Sequence, residues 1–129
     1  MMITSQSPTS PITVALWSGS RLVRSGMRSV LLGAPHIDLV GEAINSADAQ
    51  GLITQCRPDV MVIQMEADLD LVGLFRHIQA KGLVVRTVLL LDVEDTLSTW
   101  DLLKLGADGL VLSNQSPAVL LATIEQLCH

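Results

Sequence analysis

Tyrosine is absent from this 129-residue chain, phenylalanine occurs once, and tryptophan occurs twice. A core has to be built from Leu, Val, Ile, Met and Ala. Apolar residues make up 49 % of the sequence, enough for one filled core, and the length allows one domain but not two. Positive charge is scarce too. Eight Lys plus Arg stand against thirteen Asp plus Glu, a net charge of −5. A nucleic-acid surface needs a basic stripe to meet phosphates, and none is present. The acidity implies solubility and little more. Only two cysteines occur, Cys56 and Cys128, without metal-ligand spacing. Both fall on apolar helical faces, which predicts buried, reduced thiols and a cytoplasmic protein. No apolar run approaches the length of a membrane span, so no membrane contact is expected. The start, MMITSQSPTSP, lacks the basic and apolar regions of a signal peptide. Its Ser, Thr and Pro content predicts a disordered tail over residues 1–11, ahead of a folded domain over residues 12–129.

Beyond the tail, strands and helices alternate. Residues 12–17 form a short apolar strand. Leu22, Val23, Gly26, Met27, Val30 and Leu31 then repeat with helical spacing, after Ser20 as N-cap and before Gly33 and Pro35 as stop. A second strand covers residues 37–43. Asn45 or Ser46 caps a second helix, with Ala49, Leu52, Ile53 and Cys56 facing inward. Residues 59–63 form the third strand. The third helix runs from about Asp70 to Ala80, buried through Leu71, Leu74, Phe75 and Ile78. LVVRTVLLL, residues 83–91, reads as the fourth strand, and a helix from about Glu94 to Leu105 follows. GLVL, residues 109–112, is the fifth strand. Ser116 and Pro117 open a last helix, the favoured arrangement at a helix start. Five such β–α units predict an α/β domain with a five-stranded parallel sheet. With right-handed crossovers it is doubly wound, helices on both faces, in the flavodoxin-like strand order 2-1-3-4-5.

One residue in this pattern asks for an explanation. Val60 to Ile63 is an unbroken apolar run, as a strand buried on both faces requires. It ends in Gln64, an uncharged amide, at the edge of the sheet where open α/β folds bind ligands.

Four stretches, in order and at matching spacing, carry a resemblance. RLVRSGMRSVL, IDLVGEAINSADA, RPDVMVIQM and LGADGLVLSNQSPAVLLATI resemble the receiver domain of two-component response regulators. The subclass is the one whose receivers precede a LuxR-type helix-turn-helix, often called NarL/FixJ. The resemblance spans about Ile12 to Leu127. It implies a phosphoryl group taken onto an aspartate at the end of the third strand. It also implies Mg²⁺ held by that aspartate and an acidic pair after the first strand. A hydroxyl residue after the fourth strand and a Lys after the fifth would contact the phosphoryl group. The chemistry is coherent: Mg²⁺ is a hard ion that wants carboxylate oxygens, the acceptor must be a carboxylate, and Lys offsets phosphoryl charge. At the matching positions this chain carries other residues. The acidic pair falls on Ser18 and Gly19, the acceptor on Gln64, the hydroxyl on Leu91 and the Lys on Ser113. The expectation is a degenerate pseudo-receiver: the fold without the phosphorylation chemistry. Gln64 would bond neighbours such as Ser18 or Ser113, and Leu91 and Trp17 would fill the space of a hydrated ion.

Other features are weighed against plainer explanations. Glu66, Asp68, Asp70 and Asp92 lie near the same edge, with Asp92 the best candidate for a rebuilt ion site. Solvated loop charges near helix N-termini account for them as well, so no metal is expected. WSGSR, residues 17–21, has the form of a loop that cradles a phosphate at a helix start. It supports the alternative of a small-ligand or anion-binding module in an emptied strand-end pocket, although no cofactor is expected. His36, His77 and His129 share no spacing, His77 reads as a surface residue, and no catalytic constellation is visible. A non-enzymatic protein is expected.

The fourth and fifth helices carry more apolar residues than one stripe buries, which points to an interface at Leu97, Trp100, Leu102 and Leu121. The expected function is signal transduction or transcription regulation, independent of phosphorylation. It would act through a homodimer or a regulatory protein partner. DNA would be met only through an output domain, which in the resembled subclass follows the receiver and is not expected within this chain.

Overall fold

The computed structural model describes residues 11–66, 70–92 and 99–128, with only the backbone of residues 99 and 100. Its strands are β1 (Ile12–Trp17), β2 (Ile37–Ala43), β3 (Val60–Gln64), β4 (Arg86–Leu91) and β5 (Gly109–Leu112). Its helices are α1 (Arg21–Leu32), α2 (Ser46–Cys56), α3 (Leu71–Ala80), α4 (Thr99–Leu105) and α5 (Pro117–Leu127). All strand pairs are parallel and the order is β2-β1-β3-β4-β5, the flavodoxin-like order.

Alternation along the central strands makes two cores from one sheet, because successive side chains point to opposite faces. Ala15, Trp17, Met61, Ile63, Leu89 and Leu91 point one way and meet Ala49 and Ile53 of α2, Leu71 and Leu74 of α3, and Leu102 of α4. Val14, Leu16, Val60, Val62 and Val88 point the other way, to Met27 and Leu31 of α1 and Leu120 and Ile124 of α5. A buried Leu or Ile contributes roughly 1.5–3 kcal/mol of transfer free energy, so these two layers dominate stability. They also fix where each strand ends.

Local chemistry sets the edges. Ser20, Asn45 and Asp70 cap α1, α2 and α3, each accepting a backbone N–H from the first turn. Ser116 precedes Pro117 as expected, but its side chain makes no capping bond. β2 carries a bulge: Val14 pairs with Leu39 but Ala15 with Gly41. A Cβ on Gly41 would strike the Leu52 side chain of α2, which would have to shift to admit it. Past the bulge, Ala43 is in register with Trp17, and its carbonyl accepts the Ser18 N–H at 3.0 Å. The β1–α1 loop thus starts from a fixed point.

Several expectations are corrected. The fourth strand starts at Arg86, three residues later than its apolar run, and Val84 is exposed. Leu22, placed on the inward face of α1, is 83 % exposed, because Val23, Met27 and Leu31 already fill the stripe. Cys56 and Cys128 are both exposed, at the last turn of α2 and just past α5, where the helices run out of sheet to cover. Partial burial still pushes the Cys128 thiol upward in pKa, with the Asp59 charge adding to it. Residues 1–10 of the expected tail, Asp68, Leu97, His129 and the expected start of the fourth helix lie outside the described residues. No helix among the described residues is long and apolar enough to cross a membrane.

Candidate functional site

The carboxyl ends of β1, β3, β4 and β5 bring together four of the five expected positions, with Gly19 one residue beyond Ser18. Ser18 is 1 % exposed and every polar group it has is engaged. Its N–H donates to Ala43 O. Its Oγ donates to Gln64 Oε1 at 2.5 Å and accepts the Ser20 N–H at 3.0 Å. A weaker 3.4 Å approach links the same Oγ to Ser20 O. Its carbonyl accepts from Arg24 Nη1 at 2.7 Å. A hydroxyl has one hydrogen to donate, so Gln64 takes it and Ser20 N–H fills a lone pair. Gln64, half-buried at the end of β3, is thereby tied to the end of β1 by a bond between neutral groups.

Of the two partners foreseen for Gln64, Ser18 is the one used. Ser113 is exposed and donates instead to Asp92 Oδ1 at 2.6 Å, tying the ends of β4 and β5. The reason is distance across the sheet, since β4 stands between β3 and β5. Leu91 and Trp17 are buried, at 4 % and 3 % exposure, in the layer under the rim. Thr87, at the other end of β4, is equally buried. Its Oγ1 has no hydrogen-bond partner among the described residues.

Beside this rim lies a cleft of about 200 Å³ lined by Trp17, Gly19, Ile44, Asn45, Ser46, Glu66 and Asp70. The Glu66 carboxylate lies over Gly19, with both oxygens 3.4 Å from where a Cβ would stand. Two carboxylates on its wall make the cleft unfavourable for an anion. Among the described residues, no three His, Cys, Asp or Glu side chains gather to hold a metal ion. His77 is half-buried, and its Nε2 meets Thr54 Oγ1 at 2.8 Å, joining α2 and α3 far from the rim.

The interface expectation divides. Leu102 is 2 % exposed and sits in the core under α4, which removes it from any surface. Leu121 is half-buried against the α1–α5 layer. The side chain of Trp100 is not among those described. Among the described residues, Leu103, Leu105 and Leu112 are the exposed large apolar side chains near α4 and β5.

Sequence reasoning missed Arg24 and Glu42. Glu42, near the end of β2, accepts a fork of two bonds from Arg28, Nε at 2.6 Å and Nη2 at 2.7 Å. Arg24 Nε lies 3.8 Å from Glu42 Oε1. The Arg28 hydrogen bonds hold the Glu42 carboxyl below its ordinary pKa, against a smaller opposing effect of burial. A charged residue in a strand flanked by apolar ones was the available signal.

No protein-family model matches the chain. It is 28 % identical over 120 residues to the nitrate/nitrite response regulator protein NarL of Escherichia coli K12, covering 90 % of this chain and 54 % of that protein. It is 30 % identical over 109 residues to protein-glutamate methylesterase/protein-glutamine glutaminase 2 of Koribacter versatilis, covering 83 % of this chain and 30 % of that one. The chain therefore spans about half the length of the NarL relative, and less of the other. Among solved structures it is similar to the signal receiver domain of NarL from Mycobacterium tuberculosis, with a TM-score of 0.80 at 21 % identity over 93 % of this chain and 98 % of that one. A LuxR-family DNA-binding response regulator from Staphylococcus aureus gives 0.78 at 18 % identity, over 92 % and 99 %. The response regulator domain of Thermotoga maritima CheB gives 0.77 at 19 % identity, over 91 % and 96 %. Strand order and solved structures converge on one fold: the chain has the flavodoxin-like fold of response-regulator receiver domains, and over 90 % of its length it is similar in sequence to NarL.

Proposed function

We propose that this chain is a signalling receiver domain that works without a phosphoryl group and passes its signal through protein–protein contact. The observation that carries the reading is the bond from Ser18 Oγ to Gln64 Oε1. Where the resemblance calls for acids and a metal ion, two neutral side chains meet each other. A hard divalent ion wants several oxygens, carboxylates foremost. The residues at those positions offer one hydroxyl and one amide oxygen, already bonded together, and a glycine. They do not fit the ion. A γ-carboxamide is also a poor nucleophile toward phosphorus, and the position expected to hold Lys is Ser113, bonded to Asp92.

The test is direct. The full chain is treated with acetyl phosphate and Mg²⁺, then read by intact mass and thermal midpoint. Neither should change. A labile phosphate trapped on this chain, or a midpoint that rises with Mg²⁺, overturns the reading.

For the contact surface, the α1–α5 side of the sheet supports a second copy of this chain. A groove of about 310 Å³ runs between Val23, Gly26 and Val30 of α1 and Leu112, Pro117 and Leu120 around α5. A Cβ on Gly26 would meet nothing within 4 Å, so the groove is open there. One turn earlier, Leu22 stands out from the same helix at 83 % exposure. Knob and hole on one face suit a two-fold dimer, in which a patch must match itself. Light scattering at rising concentration should show dimers that Leu22→Glu abolishes. A monomer at every concentration removes this part of the reading.

A further inference from the structure

We propose that Arg24 is a positioning residue that carries the placement of α1 to the strand-end rim, so that the rim is set by the helix and not by a bound ion. The inference deepens the phosphorylation-independent reading and rests on it for its functional meaning. The geometry is a continuous polar chain. Arg28 forks onto Glu42 at 2.6 and 2.7 Å. Glu42 faces Arg24 at 3.8 Å. Arg24 donates to Ser18 O at 2.7 Å, and Ser18 donates to Gln64 Oε1 at 2.5 Å. The chain crosses from β2 through α1 to the ends of β1 and β3.

The sequence makes this link possible. Arg24 follows the Ser20 cap by four residues, and its N–H makes the first intrahelical bond to Ser20 O at 3.0 Å. Helical side chains lean toward the N-terminus, which aims a long guanidinium back at the loop. The Arg24 side chain is 15 % exposed, and the Glu42 partner is 22 % exposed. In so sheltered a place a charge-assisted bond to a carbonyl is stronger than a neutral one. A planar guanidinium can face two partners at once, a carbonyl on one edge and a carboxylate on the other. Lys offers a single ammonium and no such fork.

Ser18 is the point of transfer. Its carbonyl is held by Arg24 and its hydroxyl holds Gln64, so a shift of the helix moves both bonds. Val23, the neighbour of Arg24, lines the α1–α5 groove. A partner seated on that face and a group acting at the rim would therefore act through the same side chain. Such coupling is reciprocal.

The experiment uses the full chain, with neither metal nor phosphodonor, so its outcome is separate from the phosphorylation test. Variants Arg24→Met, Gln64→Leu and their combination are unfolded in urea, and amide exchange at Ser20 is followed by mass spectrometry. Exchange at Ser20 should rise about tenfold or more in Arg24→Met, the size expected for a lost charge-assisted bond. It should change little in Arg28→Met, which leaves the bond to Ser18 intact. The two single losses in the unfolding constant should exceed the double loss by a factor of about five, because groups in one network are not additive. If Arg24→Met does not fold, Arg24→Lys serves, and should show an intermediate rise. Unchanged exchange at Ser20 in the Arg24 variant, or additive losses, overturns the proposal.

Discussion

Two hydroxyls in this domain are buried to the same degree and differ in what they touch, which makes a paired prediction. Ser18 and Thr87 are each 1 % exposed. Ser18 Oγ makes two good hydrogen bonds, to Gln64 Oε1 and from Ser20 N–H. Thr87 Oγ1 makes none among the described residues. Each net hydrogen bond is worth about 1 kcal/mol, so Ser18→Ala should cost about 2 kcal/mol. Gln64 is only half-buried and recovers some solvation, which keeps the figure near the middle of the range of about 1–3 kcal/mol for two lost bonds. Thr87→Val keeps the shape, removes the unpartnered hydroxyl, and should gain about 1 kcal/mol. At this chain length 1 kcal/mol moves the thermal midpoint by roughly 4 °C. Ser18→Ala should then fall by about 8 °C and Thr87→Val rise by about 4 °C. Urea unfolding should give the same ordering with an unchanged slope, which keeps the two-state comparison valid. If both substitutions move stability in the same direction, partner count does not decide the fate of a buried hydroxyl here. The assignment of Ser18 as the hub of the rim would fall with that result.

Further outcomes follow from other sites. Arg57 closes α2 with φ 45° and ψ 58°, the left-handed region that favours glycine. Arg57→Gly should therefore raise stability by about 0.5–1 kcal/mol, and a drop in midpoint would show that the exposed Arg side chain contributes more than the strain costs. Glu42 is held below its ordinary pKa mainly by its bonds from Arg28. A depressed carboxyl stabilises the fold above its unfolded pKa, and loses that contribution as pH falls through the folded value. Glu42→Gln should thus be less stable than the parent at neutral pH, with the gap closing below about pH 4, near the unperturbed Glu pKa. A gap that persists into strong acid would assign the effect to packing and not to charge.

The architecture was legible because parallel strands buried on both faces leave little ambiguity. Val60 to Ile63 and Val88 to Leu91 admit no wet side, and the helices between them show one stripe each. A neutral partner for Gln64 was legible only as a choice between Ser18 and Ser113; the strand order, with β1 beside β3 and β4 between β3 and β5, decides it for Ser18. Less could be read where an apolar residue serves no core. Leu22 and Leu102 look alike in sequence, yet one is exposed and the other sealed. What separates them is which side of each helix faces the sheet, a tertiary fact. Arg24 was illegible because a charged residue on a helix is usually a solvated one. Only the fold brings Glu42 and the Ser18 carbonyl to its guanidinium.

A rim of acids and a rim of amides solve different problems. Carboxylates crowded at one strand end repel each other and need a cation nearby, so their arrangement depends on what is bound. Neutral groups carry no such debt to an ion. Ser18 and Gln64 satisfy each other, and the one permanent charge touching Ser18, Arg24, faces its own counter-charge in Glu42. On the reading proposed above, such a rim is set by its neighbours in the chain and by helix placement, and its state should be the same with or without a divalent ion. A ligand shifts a two-state equilibrium only by its difference in affinity for the two states. On the proposed reading, with no acid at the matching position to take a phosphoryl group, that difference comes from a surface carried by α1. The groove between α1 and α5 would be such a surface: Val23 lines it, and the next residue, Arg24, holds the carbonyl of Ser18, whose hydroxyl holds Gln64.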